Sequence, residues 1–491
     1  MRSINEKVQQ FFILSLLVLL PFTSFPLVSR LFGGTKVAPL SAIPLLLLTP
    51  FLLNKLIKDP KLPSDAYPLY LFFLVAALVS ALATFRVLPT FRDIAPWENG
   101  LEALLTLIVG IAFYLVPSFF INDERQFRQA IRWISLGGVI ILVACIVQTI
   151  SWLVLKDYPD ILSKMQELVS SGRLYKRRLT GVALEPSWLA HQLNVLYLPL
   201  WLGLSFSKVS SFRLRVINKF TIENFLLLGG LTSLFLSFSR IGWLTFGMLV
   251  VYLIFHYMIE RNRRLSVKRD YKSKFERLIY HPVFMVITLI LLFVAISFLG
   301  GIVISKVDPV RTGKLFDLTR YKQFGILGWA SQLEIAERII YWMAAFKVYL
   351  MHPWLGVGLG GSGFYFPQTV NSFGYRLPEI LRTLMVESSI PNAKNLWARL
   401  LSETGIIGFS LFITWMVVMW RRAQNLKSQT NTCHKAFSLI GKMFVIALLL
   451  EGFSIDTFGL PYYWISMGLI TVLGMLPGLP ATDGSNLKEQ S

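Results

Sequence analysis

Charged residues are scarce in this 491-residue chain, at 15% of the total against 54% hydrophobic, where a soluble domain carries roughly one quarter. That scarcity excludes a soluble fold of this length, because so much apolar surface cannot be hidden from water. The apolar residues come in blocks of about twenty, the length that crosses a bilayer core. Cysteine is nearly absent: Cys145 lies in an apolar run and Cys433 in a polar connector, which excludes a disulfide framework and a cysteine metal site. Acids are few, 27 against 48 Lys plus Arg, for a net charge of +21. In a soluble protein that excess would suggest nucleic acid. In a membrane chain it follows from basic cytoplasmic loops and from anionic lipid headgroups, so membrane lipids are the expected partner and nucleic acid is not. Also lacking are a P-loop, a dinucleotide fingerprint and an acidic metal cluster, so no cofactor is expected. The first apolar block, 11 to 28, contains Pro21 and Pro26 and lacks an A-x-A cleavage signature, so it is read as a retained span.

What is present is an all-α pattern, a polytopic transmembrane helical bundle of about 12 spans. They run from about 11 to 29, 38 to 57, 66 to 85, 100 to 120, 133 to 155, 184 to 206, 222 to 238, 242 to 259, 282 to 304, 400 to 420, 437 to 452 and 459 to 477. The 260 to 280 connector holds Arg261, Arg263, Arg264, Lys268, Arg269, Lys272, Lys274 and Arg277, which sets it in the cytoplasm. Alternation then puts both termini inside and the 156 to 183 and 305 to 399 connectors outside. The organisation is spans one to nine over 1–304, an extracytoplasmic loop over 305–399, spans ten to twelve over 400–480, and a cytoplasmic tail over 481–491. Within the long loop, Ile335, Ile339, Trp342, Phe346 and Tyr349 recur at helical spacing among Glu334, Glu337, Arg338 and Lys347, which predicts an amphipathic helix from Ser331 to Met351 lying on the membrane or capping the bundle.

Polar residues at the outer ends of spans are the informative ones, since their burial is costly unless they are paired or used. Glu98, Glu102, Glu185, Arg240 and Glu451 fall on that side and are read as lining an outward cavity. Each alone is equally an interfacial charge that snorkels to headgroups. Ser187, His191 and Asn194 share one helical face pointing into the bundle; no acid is placed in sequence to orient His191, so interhelical hydrogen bonding is preferred to a nucleophile. Arg173, Lys176, Arg177 and Arg178 form an unusual outer basic cluster. Arginine forks suit diphosphate oxygens, and anionic headgroups are the alternative partner. Gly356, Gly358, Gly360, Gly361 and Gly363 have a phosphate-cradling look, although no strand precedes them.

Three segments together resemble the O-antigen ligase and polymerase superfamily of bacterial envelope enzymes. They are Ser237-Phe238-Ser239-Arg240-Ile241-Gly242-Trp243-Leu244; His352-Pro353-Trp354-Leu355-Gly356-Val357-Gly358-Leu359-Gly360; and Asn395-Leu396-Trp397 through Glu403-Thr404-Gly405-Ile406-Ile407-Gly408. Glu185-Pro186-Ser187-Trp188 adds a further likeness to the polymerases. The resemblance implies a GT-C-like glycosyltransferase of the inner membrane, moving a glycan from a polyprenyl-diphosphate-linked oligosaccharide to a glycan or lipid acceptor, without metal or nucleotide. Diphosphate is a competent leaving group, so the chain need mainly neutralise charge and position the acceptor, roles suited to Arg240 and Arg178. Arg177, Lys394, Asn395 and Arg399 complete the expected binding set. Glu185, His352 and Glu403 are the candidate bases. His352 can equally just end a helix, and Glu403 can simply pair with Arg399 four residues earlier. Ligases of this group carry a histidine just before the Asn-x-aromatic segment, where this chain has Lys394. A lysine is a permanent cation there, so polymerase is favoured over ligase and base catalysis falls to Glu185. The alternative function is a transporter or flippase of lipid-linked oligosaccharide, although the repeat symmetry and midplane helix breaks of transporters are not evident.

Overall fold

The structure, a computed structural model, describes residues 4–31, 33–58, 62–83, 94–212, 215–217, 220–268, 282–307, 319–333, 335–387, 389–428 and 432–476, with isolated positions between them. It is helical almost throughout. The helices used below are α1 (Ile4–Val18), α2 (Pro26–Leu31), α3 (Ala42–Lys58), α4 (Tyr67–Ala83), α5 (Pro96–Phe120), α6 (Glu124–Leu155), α7 (Asp160–Val169), α8 (Pro186–Gln192), α9 (Leu198–Phe206), α10 (Ile222–Leu236), α11 (Arg240–Lys268), α12 (Pro282–Val307), α13 (Thr319–Gln332), α14 (Ala336–Met351), α15 (Pro378–Met385), α16 (Leu396–Asn425), α17 (Thr432–Glu451) and α18 (Pro461–Met475). A π turn, Leu193–Tyr197, joins α8 to α9. Among the described residues, six helical stretches are long and apolar enough to cross a membrane: Ser64–Ala83, Pro96–Phe120, Glu124–Leu155, Arg240–Arg263, Leu396–Ser428 and Thr432–Glu451. The chain is thus an all-α membrane protein.

Lipid reverses the usual surface pattern, and the helices show it. Val143, Ile146, Ile150, Leu153 and Val154 stand exposed along one side of α6, and Leu71, Leu74, Leu78 and Leu82 along α4. Large rings fill the bundle axis instead. Trp415 meets Tyr114 edge-on at 5.5 Å, Phe412 at 5.3 Å and Trp464 at 5.5 Å, contacts that add to simple burial. Gly110 lets α18 close on α5, since a Cβ there would lie 2.3 Å from the Trp464 ring. Small residues that admit close approach are the usual device where lipid offers no hydrophobic drive.

Polar contacts occur at both ends of the bundle. At one end Arg422 pairs with Asp65 at 2.9 Å, Lys427 pairs with Glu260, and Glu223 accepts from Ser211 N at 2.7 Å. At the other, Ser171 N donates to Ser24 O at 2.8 Å and Asn99 Nδ2 to Gly360 O at 2.5 Å. That second end carries the long loop, whose own core is built on Ile340, Tyr341, Val348, Phe364, Phe366 and Ile380.

Several sequence expectations need correction. The loop helix begins at Ala336, after a separate helix, α13. Its packed stripe is Ala336, Ile340, Tyr341, Ala344, Ala345 and Val348, set against α16, while Phe346 from the expected stripe is exposed. Cys433 lies in α17 and is buried, not in an open connector. Glu98 and Glu102 face outward, exposed, and Glu451 is wholly buried, so these acids share no cavity lining. Arg269, Lys272, Lys274, Arg277, Glu334 and the tail 481–491 lie outside the described residues.

Candidate functional site

The site is organised by a break in α16. Gly405 has φ +63° and ψ −170° inside that helix, a conformation essentially confined to glycine. A break in a membrane helix strands backbone groups that must find other partners, and the 352–361 segment supplies them. Ile406 N donates to Pro353 O at 2.8 Å and Ile407 N to Trp354 O at 3.3 Å, while Val357 N and Gly358 N donate to Ser402 O and Glu403 O at 3.0 and 2.9 Å. Gly356 has φ +69°, and a Cβ there would sit 2.4 Å from the Glu403 carbonyl carbon. Gly356 therefore serves close approach to the broken helix, whereas a Cβ on Gly358 would meet Ala83 of α4 at 2.9 Å and one on Gly360 would meet Asn99 of α5 at 2.7 Å. The amides of Gly356, Val357, Gly358 and Gly361 are taken by backbone carbonyls, which removes four donors from the phosphate-cradling reading of this segment.

Glu403 sits beside this break with both oxygens engaged: Arg399 Nε donates to Oε2 at 2.8 Å and Ser362 Oγ to Oε1 at 2.9 Å. Arg399 also donates to Asp456 O and lies over the Phe458 ring. Asn395 caps α16, its Oδ1 accepting from Trp397 N and Ala398 N at 2.9 and 3.0 Å, which satisfies orphan donors of the first turn. Lys394 N donates to Asp456 Oδ2 at 2.9 Å, and its ammonium pairs with Glu379 and lies 4.7 Å from the Tyr341 ring centroid. Burial raises the Asp456 carboxyl above its ordinary value, against the pull of Arg399 and the Lys394 amide. His352 ends α14, its ring 5.6 Å from that of Tyr365.

A second group surrounds the turn between α10 and α11. Arg178 Nε donates to Ser237 O at 3.2 Å, and Leu179 N donates to Leu236 O at 3.0 Å. Arg240, the first residue of α11, donates to Leu333 O at 2.5 Å. Five residues beyond Leu333, Arg338 donates to Ser454 Oγ at 2.9 Å. Ser454 stands two residues from Asp456, whose carbonyl Arg399 reaches, so Arg178, Arg240, Arg338 and Arg399 form a series connected partly by hydrogen bonds and partly along the chain. Glu185 precedes α8, half-buried, with the Ser187 hydroxyl donating to its carboxylate. Arg177 stands exposed on the hairpin turn before it, with φ +62°, and Lys176 pairs with Asp157 at 2.9 Å in the open.

Beneath that turn the structure supplies the acid that His191 appeared to lack. Glu451, at the end of α17, meets His191 Nδ1 and accepts from Asn194 Nδ2 at 2.6 Å, and the same Asn194 amide reaches Gly242 O at 2.8 Å. Sequence reasoning missed this contact because 260 residues separate the partners, and it missed Arg338 and Asp456 because one reads as a surface helix charge and the other as a loop acid. The signal for Glu451 was its place: a carboxylate closing an apolar helix. Among the described residues, no group of three or more His, Cys, Asp or Glu is placed to hold a metal ion.

The resemblance can now be set against comparison with known proteins. A search of curated proteins finds no match. Residues 225–413, under half of the chain, match the family model described as O-antigen ligase, and this stretch holds the Arg240 turn, the glycine segment and the broken helix. That match agrees with the resemblance to the O-antigen ligase and polymerase superfamily carried by the same residues.

Proposed function

We propose that this protein is a membrane glycosyltransferase that moves a glycan from a polyprenyl-diphosphate carrier to a sugar hydroxyl, acting as a polymerase. The observation that carries this is the arginine series at one end of the bundle. Arg240 and Arg178 sit on either side of one tight turn, each fixed by a donor to a backbone carbonyl. Preorganised guanidinium groups at the leaving diphosphate stabilise charge that grows only as the glycosyl bond breaks, without reorganisation at that moment. The acceptor proton goes to Glu185, a half-buried carboxylate at the start of α8, whose partner Ser187 holds it in place. Arg338 is assigned to the donor site as well, since Arg240 bonds Leu333 in the junction just before the helix that carries Arg338. Glu403, with both oxygens occupied, acts as a strut and not as the base. Lys394, matched by Glu379, contributes at the margin of the glycan path.

In the cell we place the chain in the bacterial inner membrane with about twelve spans in a GT-C-like arrangement, both termini cytoplasmic and the arginine end outside. Glycan analysis of a deletion strain tests the activity. Single-repeat chains support the polymerase; unlinked long polymer indicates a ligase, and intermediates held on the cytoplasmic face a flippase. Arg240→Lys tests the chemistry: a point charge cannot replace the bidentate fork, so turnover is expected to fall by about two orders of magnitude at wild-type membrane levels.

A further inference from the structure

His191, Asn194 and Glu451 are at most 1% exposed, and they join three helices that are distant in sequence. Glu451 closes α17, His191 belongs to α8, Asn194 is the second residue of the π turn, and the carbonyl that Asn194 reaches belongs to Gly242, two residues into α11 from Arg240. A single π turn inside a helix rotates the residues around it and often marks a functional position. The packing here leaves no slack. A Cβ on Gly242 would lie 2.7 Å from Ala190 Cβ, so α8 and α11 touch at this level. A carboxylate in this setting is costly unless several donors satisfy it; His191 and Asn194 supply them on its two oxygens. From the opposite side, Arg240 itself is tied to Leu333 O at 2.5 Å. The first turn of α11 is therefore held between the long loop and the buried triad.

We propose that His191, Asn194 and Glu451 form a positioning device that sets the height and rotation of the Arg240 turn. Asn194 is the contact that does so, Glu451 aims Asn194, and His191 fills the remaining face of Glu451 through Nδ1. The proposal rests on the reading that Arg240 contacts the donor diphosphate. It assigns His191 no proton of the reaction: the imidazole acts only as a donor to Glu451, which an asparagine at 191 can imitate.

The test is a double-mutant cycle on the full-length protein in proteoliposomes, measuring kcat and KM for lipid-linked oligosaccharide along with thermal stability. Asn194→Leu is expected to lower kcat/KM at least tenfold, and to change it less than twofold when Arg240 is already alanine, because misplacing a residue that is absent costs nothing. His191→Asn should retain activity within threefold, and His191→Phe should follow Asn194→Leu. Gly242→Ala, which presses on Ala190 without removing a polar group, should give the same kinetic pattern and serves if Asn194→Leu does not reach the membrane. Additive losses from Asn194→Leu and Arg240→Ala overturn the device while leaving the donor role of Arg240 intact. Loss of turnover in well-folded His191→Asn overturns it too, and makes the imidazole itself a participant. No loss from Arg240→Ala alone sinks the donor reading and this inference with it.

Discussion

Replacing Gly405 by alanine attacks the point on which the outer site is assembled. Its φ of +63° with ψ of −170° is a region that other residues enter at a cost of about 1–3 kcal/mol. A Cβ would also lie 2.2 Å from Trp354 O and 2.3 Å from its carbonyl carbon, so the 352–361 segment must move. Four backbone bonds cross between that segment and the broken helix, those of Val357, Gly358, Ile406 and Ile407, at 2.8–3.3 Å. At a net worth of about 1 kcal/mol each, losing half of them adds about 2 kcal/mol. The sum is roughly 3–5 kcal/mol, and the thermal midpoint of the detergent-extracted protein should fall by roughly 5 °C or more. Proteolysis at the loosened segment should rise in parallel. Gly247→Ala is the matched control: it lies in α11 with nothing within 4 Å of its Cβ position, and helical alanine is favoured by about 0.5–1 kcal/mol. A Gly405→Ala protein that melts and resists protease like Gly247→Ala would refute the account of the break.

Three further outcomes are expected. Glu403→Leu, which removes the carboxylate partner of Arg399 at 12% side-chain exposure but leaves it the Asp456 carbonyl, should cost about 1.5–3 kcal/mol, and the double variant Arg399→Met/Glu403→Leu should recover much of it; thermal melts of all three read this, and a double variant worse than either single one contradicts it. Because burial lifts the Asp456 carboxyl above its ordinary value, the folded protein holds that proton more tightly than the unfolded chain. Stability therefore declines as pH rises from the ordinary value through the raised one, and melts across this window should lose that slope in Asp456→Asn; an unchanged slope removes Asp456 as its source. For orientation, both native cysteines are buried, so cysteines are introduced at exposed positions. In intact cells an impermeant maleimide should label Lys176→Cys and should reach Ser428→Cys only after permeabilisation; the reverse pattern inverts the bundle.

Sequence by itself determined the solvent of this protein and the run of its chain. Blocks of about twenty apolar residues permit only helices in lipid, and each expected stretch coincides with a helix or a pair of helices in the structure. Through the resemblance to a known family it also grouped Arg240, the glycine segment and the Glu403 segment, whose types and order are local properties. Which partners those residues take was decided by tertiary structure alone. Gly356 and the Gly405 break explain one another only when two segments some fifty residues apart are brought together, since a stranded amide and a stranded carbonyl carry no mark in the sequence. The stripe by which α14 packs was misread for a related reason: periodicity shows that a helix has faces, but which face is covered depends on where the neighbouring elements lie, and here they cover Ile340, Tyr341 and Val348 and leave Phe346 exposed. His191 acquired its acid from 260 residues away, a contact fixed by the packing of α8, α11 and α17 and by the high cost of leaving a carboxylate unsatisfied inside them.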